Sequence, residues 1–322
     1  MKRGLYRMRP ALKQVLWGGQ RLQRLFAKDA PLTERIGESW EVSALAGMES
    51  RDLDTGATLS ELWSREGRHL AGLAAGAEFP LLVKFLNCES QLSVQVHPDD
   101  ACARRLRGTA CGKREVWWIL EAAPGAWIDF GFKPGTTKDA VQSALAVGGA
   151  GIENLLQRFP VTAGEIWHVE PGTVHAPGPG IVMLEVQQPS DVTFRLHDWG
   201  RTGGDGQART LHVPEALQVL DYATPHVPHA RLDVALAAQV LVDTPAFRLE
   251  SRRVHGATTE LVRELTVIVC LEGRGTVSAM GDAAQLRPGT SLIIPAGASI
   301  TRLEGEKLLL AWITPARPPA AP

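Results

Sequence analysis

A serine, an amide and an imidazole stand at alternate positions of the apolar run Ser93-Val-Gln95-Val-His97, which Pro98-Asp99 brings to an end. Side chains of an extended chain alternate between faces, so Ser93, Gln95 and His97 share one face while Val94 and Val96 point into a core. Proline cannot donate to a strand ladder, and Pro98 closes the segment. The run therefore reads as a short strand that presents an oxygen donor two residues ahead of an imidazole, half of a metal site.

The rest of the chain favours a fold built from many such strands. Its 322 residues include 32 glycines and 21 prolines, a mixture that suits short strands and tight turns better than a helical bundle. The length suffices for two units, or one large β-rich unit, to fold without covalent staples. Net charge is −1, from 34 basic and 35 acidic residues, so bulk electrostatics favours neither nucleic acid nor an anionic membrane as partner. No apolar stretch nears the ~18 residues that span a bilayer. The basic start MKRGLYRMRPALKQ lacks the apolar core of a secretory signal. Cys88, Cys102, Cys111 and Cys270 have neither CxxC spacing nor the density of a disulfide scaffold, and a reducing cytoplasm is the expected address. Oligomeric state is left open.

Periodicity divides the chain coarsely. Residues 1–30 read as opening turns with an amphipathic stretch at 21–26. Strands are expected at 37–44, 79–86, 91–97, 115–120, 126–130, 165–169, 181–188 and 192–196. Thr58-Leu-Ser-Glu61 has the spacing of a capping box and predicts a short helix through Trp63. Asp100 is the expected cap of a helix running to Arg107. Between 136 and 159 the apolar period becomes helical, through Val141, Leu145, Ile152, Leu155, Leu156 and Phe159, and predicts an inserted helical pair. Pro214 opens a brief helix to Leu220. The division that results is a unit over 1–225, a linker over 226–239, a second β unit over 240–315 and a frayed tail over 316–322.

An internal echo supports two related units. Gly164-Glu-Ile-Trp-His-Val-Glu-Pro171-Gly172-Thr-Val-His175 parallels Gly289-Thr-Ser-Leu-Ile-Ile-Pro295-Ala-Gly297-Ala-Ser-Ile300. Each runs turn glycine, strand, proline, glycine and then a residue three further on, which is His175 in the first copy and Ile300 in the second. The segment resembles the second signature of the cupin barrel, a small jelly-roll-like sandwich. The expected class is thus all-β, two cupin barrels with a small inserted helical segment, only the first retaining ligand chemistry. Gln95, His97, Glu115 and His175 form the proposed constellation. Two imidazoles, a carboxylate and an amide oxygen suit a divalent transition metal, zinc first, and leave it an open position.

The motifs from Leu81-Leu-Val-Lys84 through Ser93-Val-Gln95-Val-His97-Pro98-Asp99, Gly112-Lys113-Arg-Glu115, His175 and Ser190-Asp191-Val-Thr-Phe-Arg195 resemble the type I mannose-6-phosphate isomerases. Length and the Gly37-Glu-Ser-Trp40 segment are similar to the short bacterial form, and the match is spread over most of residues 15–200. The resemblance implies a zinc enzyme, one ion per chain, that interconverts mannose 6-phosphate and fructose 6-phosphate through a metal-stabilised cis-enediolate. It implies Gln95, His97, Glu115 and His175 as ligands and Lys84 and Ser93 at the substrate's phosphate or hydroxyls. Lys113 and Arg195 match basic catalytic residues, and Glu185 matches a carboxylate lining the pocket. Pro177 is a departure, since some longer members place a tyrosine there.

The chemistry asks for the same cast. Moving a carbonyl between C1 and C2 needs a Lewis acid for the enediolate charge and a base that shuttles one proton. Glu185, Lys113 and a metal-bound hydroxide are candidate bases. Arg195 could stabilise the oxyanion or hold phosphate, and charge stabilisation is the role expected of it; a structural ion pair with Asp191 or Asp198 is the alternative. Trp40, Trp117 and Trp118 are expected as packing, with a stacking surface for a sugar as the alternative. Two rival functions are an iron-dependent cupin oxygenase and a non-catalytic sugar-binding or regulatory cupin. The amide ligand and the nearby Lys84, Lys113 and Arg195 favour an anionic sugar.

Overall fold

Residues 3–72, 78–146, 151–202, 206–223 and 229–316 are described by the computed structural model, which is dominated by antiparallel strands in three sheets. Seven strands form the first sheet, in the order His229–Arg231, Glu165–Val169, Glu115–Ala122, Ile181–Gln187, Leu82–Cys88, Ile36–Val42 and Ala11–Gly19. Facing it is a five-stranded sheet ordered Phe194–His197, Val94–Val96, His175–Pro177, Trp127–Phe132 and Leu156–Pro160. Trp117, Ile119, Trp167 and Val169 from one and Ile128 and Phe130 from the other share a buried cluster, which makes the pair a jelly-roll barrel.

The third sheet forms the second β unit around an all-apolar interior that includes Ile268, Val277, Leu292, Ile300, Leu310 and Trp312. The echo between the two units is structural. Gly164 and Gly289 both have positive φ, at 87° and 86°, as do Gly172 and Gly297, at 88° and 78°. Glycine suits these left-handed turns because it has no Cβ to clash. The site of His175 in one copy is filled in the other by Ile300, fully buried.

The largest core lies between the units. Val83, Phe85, Val116, Trp118, Val182, Leu184 and Val186, from the outward face of the seven-stranded sheet, meet Phe247, Leu249, Val267, Ile293, Ala311 and Ile313 of the second unit. Phe26 and Phe85 stack there with centroids 4.1 Å apart. One ion pair is sealed into the same seam. The Glu41 carboxylate, fully buried, takes Lys28 Nζ at 2.6 Å, Ser39 Oγ at 2.6 Å and Ser291 Oγ at 2.7 Å. Lys28 also donates to the Gly289 carbonyl at 3.0 Å.

Several expectations need correction. The first 30 residues are not merely turns: Tyr6–Arg9 and Ala11–Gly19 are strands, and Tyr6 and Met8 alternate into the shared core. Tyr6–Arg9 pairs with Ser291–Ile294, Tyr6 opposite Ile293, so dividing the chain at 225 cuts across a hydrogen-bonded sheet. In the expected linker, His229–Arg231 pairs with Glu165–Trp167; residues 226–228 lie outside the described residues, as does 317–322 of the expected tail. The inserted helical pair is one helix, Lys138–Ala146, a 3-10 turn over Ile152–Leu155, and then the strand Leu156–Pro160. Trp127–Phe132 supplies that strand with a ladder, and ladder pairing overrides the local helical period. The capping box at Thr58 and Glu61 is present but opens a longer helix, Leu59–Ala71. Asp99, not Asp100, caps Asp100–Arg107. Among the described residues no helix is long and apolar enough to cross a membrane.

Replacing Glu41 with alanine strands the buried Lys28 ammonium and is expected to cost about 3–5 kcal/mol. Urea denaturation should show one transition at a lower midpoint; an unchanged midpoint, or the loss of one unit alone, would contradict a shared, load-sharing seam.

Candidate metal centre and active-site cleft

Strand register brings the distant donors together. His175 lies opposite Gln95 in the five-stranded sheet, and Arg195 lies opposite Gln95 on its other side. Val94 and Val96 enter the apolar layer beneath, as the alternation requires, while His97, also buried, directly follows the strand. Glu115 opens its strand in the facing sheet, with Val169 and Gln187 as neighbours. Gly112 allows the preceding loop to press against the His97-Pro98 turn, because a Cβ there would meet the Pro98 carbonyl oxygen at 2.3 Å.

Hydrogen bonding sets the tautomers of both imidazoles. His97 Nδ1 donates to the Val192 carbonyl and His175 Nδ1 to the Thr173 carbonyl, both at 2.9 Å. In the neutral rings each Nε2 is then left with a lone pair. Burial keeps them neutral: it lowers the pKa of His97, helped by Lys113, and that of His175 to about 3, helped by His97. Both Nε2 atoms lie 3.5 Å from Glu115 Oε1, an oxygen with no hydrogen-bond partner. The three donor atoms lie within 4.8 Å of one another, the one such group among the described residues.

Glu115 is held as a carboxylate. Burial opposes its charge, yet the Lys113 ammonium brings its pKa well below the usual range. Lys113 Nζ lies 2.7 Å from Glu115 Oε2 and 3.3 Å from His97 Nε2. Two neutral imidazole lone pairs and a carboxylate oxygen aimed at one point fit a divalent cation. The fourth expected donor is adjacent: the Gln95 amide nitrogen is 3.2 Å from His175 Nε2, and its oxygen accepts from Ser93 Oγ at 3.3 Å.

A cleft of about 680 Å³ opens beside this cluster. Lys84, Ser93, Gln95, Lys113, Glu185 and Arg195 all line it. Lys84 lies opposite Glu185 across the strands, its Nζ 3.3 Å from Glu185 Oε1 and 3.8 Å from Asp191, and over the Trp40 ring at 4.3 Å. Burial raises the Glu185 pKa against the pull of Lys113. Burial also disfavours the Lys113 ammonium, but Glu115, Glu185 and Asp191 hold its pKa above the ordinary lysine value.

Set beside known proteins, the chain matches mannose-6-phosphate isomerases along most of its length. Residues 5–113 match the phosphomannose isomerase type I catalytic domain, and residues 238–314 match the mannose-6-phosphate isomerase cupin domain. A mannose-6-phosphate isomerase of Streptococcus mutans is 33% identical over 306 residues, covering 93% of this chain and 95% of that protein. The chain belongs to the type I mannose-6-phosphate isomerases. A relative of the same name from Bacillus subtilis is 33% identical over 304 residues, covering 92% of this chain and 95% of its own length. The crystal structure of the mannose 6-phosphate isomerase from Bacillus subtilis superposes with a TM-score of 0.87 at 28% identity, covering 97% of this chain and 99% of that one. This isomerase chain is therefore an enzyme of the cupin class.

Some residues at the site were not singled out by sequence. Trp117, expected as packing, lines the cleft, donates Nε1 to Glu185 Oε2 at 3.2 Å and meets the His175 ring edge-on. Trp118, the next residue, is packing in the seam. Arg195 pairs with neither Asp191 nor Asp198; its Nε donates to Ser93 Oγ at 3.3 Å and its Nη1 to the Thr210 carbonyl at 2.9 Å. Glu38, Arg107, Arg209 and His212 also line the cleft. Glu38 could have been found from the alternation of Gly37-Glu-Ser-Trp40, but Arg107, Arg209 and His212 carry no local signal.

Alanine at Glu115 or at His175 should abolish retention of stoichiometric metal after dialysis, read by elemental analysis. A variant that keeps one ion per chain removes that residue from the ligand set.

Proposed function

We propose that this chain interconverts mannose 6-phosphate and fructose 6-phosphate, with one divalent cation, zinc first, held by Gln95, His97, Glu115 and His175. The observation that carries the reading is the convergence of the two Nε2 lone pairs and the unpartnered Glu115 oxygen beside a cleft lined by Lys84, Lys113, Glu185 and Arg195. Borderline nitrogen and oxygen donors with an open position suit zinc, and the names of the relatives supply the substrate pair. When bound, the cation supplies Lewis acidity for negative charge on the sugar's C1 and C2 oxygens.

The protein's own residues do the remaining work. Glu185 lines the cleft, and its Oε1, ion-paired with Lys84, is the oxygen that takes the proton from one carbon and returns it to the other. Lys113 already donates toward Glu115 and His97; its role is to hold the ligand carboxylate ionised and to add positive charge beside the enediolate. Lys84 and Ser93 hold sugar hydroxyls. Arg195, next to Gln95, stabilises the oxyanion with its remaining Nη2. Burial of the cluster keeps bulk water from competing for these charges.

Fructose 6-phosphate should be isomerised by the untreated enzyme, lose that conversion in chelator and regain it on addition of zinc, with mannose 6-phosphate identified as product. Metal-dependent binding of the sugar without turnover would instead make the chain a non-catalytic sugar binder. Arg195→Ala should lower kcat more than it raises KM, as loss of a transition-state contact does; an effect on KM alone would move Arg195 to ground-state binding.

A further inference from the structure

Trp117 borders the cleft, yet the residue is only 1% exposed, so its ring offers a sugar no face to stack on. The side chain is gripped on several sides. Ile119, Phe130, Trp167 and Met183 share its apolar cluster, and Trp167 stands opposite it in the sheet. Toward the metal cluster the ring meets the His175 imidazole edge-on, with centroids 5.2 Å apart and planes at 75°. Such packing leaves the indole little freedom to move. What the ring does present is its one polar atom, and an indole nitrogen can only donate.

That donor is aimed at the proposed base. Glu185 is the cross-strand partner of Trp117, and Trp117 Nε1 donates to Glu185 Oε2 at 3.2 Å in a buried bond. The other oxygen, Oε1, lies 3.3 Å from Lys84 Nζ and 3.9 Å from Lys113 Nζ. These contacts constrain the carboxylate differently. An ammonium on a flexible four-carbon stem attracts a carboxylate without fixing its direction. The indole N–H belongs to a rigid, packed ring, and a hydrogen bond weakens steeply when it is bent. With Oε2 tied to the ring, the carboxylate is held against rotation and Oε1 is left facing the lysines.

Direction matters for the chemistry proposed above. Proton loss from C1 of fructose 6-phosphate leaves C1 and C2 joined by a double bond, so C2 is planar. A proton added to one face of C2 gives mannose 6-phosphate. Added to the other face it gives the epimer, glucose 6-phosphate. Stabilising the enediolate charge favours both additions alike, so the choice of face lies with the position of the group that returns the proton.

We propose that Trp117 is a positioning residue that decides which epimer forms: by holding Oε2 it confines Glu185 to one side of the enediolate, from which Oε1 returns the proton. The inference rests on the isomerase reading above and adds to it the residue that sets the stereochemistry.

The test compares the metal-loaded wild type with its Trp117→Phe variant, which keeps a ring in the cluster and deletes the donor. Each is given fructose 6-phosphate, and both product epimers, kcat, KM and bound metal are measured. Loss of one hydrogen bond to a charged group should lower kcat by about 10- to 100-fold. KM should stay close to the wild-type value and the metal content should be unchanged. Glucose 6-phosphate should rise several-fold as a share of the product. An epimer ratio equal to that of wild type overturns the proposal whatever happens to kcat, because lost packing alone slows the enzyme without changing the face. Loss of metal from the variant also overturns it, since the indole would then act through His175. Absence of turnover in wild type fails the isomerase reading, and this proposal with it. Should Trp117→Phe fail to fold, a crystal structure of the wild-type holoenzyme soaked with fructose 6-phosphate decides. Glu185 Oε2 on the indole and Oε1 against one face of C1 and C2 supports the proposal; a carboxylate turned away from the indole overturns it.

Discussion

Side-chain alternation in the strands Leu82–Cys88, Glu115–Ala122 and Ile181–Gln187 is the constraint on which both halves of the molecule depend. One set, Val83, Phe85, Val116, Trp118, Val182, Leu184 and Val186, packs outward against the second β unit. The interleaved set carries Lys84, Glu115, Trp117 and Glu185 into the barrel. A slip of one residue would put the charges into the apolar seam and the apolar residues into the cleft. Burying the outer face therefore fixes the register that sets Lys84 opposite Glu185 and Glu185 opposite Trp117. Among the described residues the second unit adds no donor to the group of His97, Glu115 and His175, but it supplies the surface that makes this register worth keeping.

The interior of the first barrel is costly to maintain and is managed by pairing. Lys113 is opposed by Glu115, Lys84 by Glu185, and the two imidazoles are held neutral by burial. Each charge has an opposite charge close by, so none bears the full penalty of an isolated buried ion. What this pairing leaves over is specific: one oxygen of Glu115 and two nitrogen lone pairs facing one point. An unsatisfied buried acceptor is expensive in a fold that has no use for it. One such oxygen, with two imidazole nitrogens 3.5 Å from it, is the arrangement a cation completes.

How much of this was legible in the sequence follows from how local each feature is. The ligand strand could be read because polar and apolar residues alternate within five positions, and Pro98 marks its end. Glu165–Val169 matched its expected bounds for the same reason. Tyr6–Arg9 was missed because four residues with a proline after them look like a turn until Ser291–Ile294 pairs with them. Residues 156–160 followed a helical period that a distant ladder overrode. Asp99 and Asp100 are equivalent as caps on paper; the fold separates them, since Asp100 instead accepts from Gly112 N and Gln188 Nε2. Arg107, Arg209 and His212 had no local pattern at all, because they come together at the cleft only in the folded chain.

The repeated glycine–strand–proline–glycine segment explains why the two units can differ so far in chemistry. Both copies take the same backbone path, with left-handed glycines at equivalent positions. That path delivers the residue three beyond the second glycine to the barrel interior whatever its side chain. With His175 there, the interior must accommodate charge and water access, and its packing is interrupted by a cleft. With Ile300 there, the interior closes into a continuous apolar cluster. The apolar copy is free to contribute burial alone, and its strands are the ones that seal the outer face of the catalytic sheet. One backbone solution, filled in two ways, thus separates the part of the molecule that stabilises from the part that reacts.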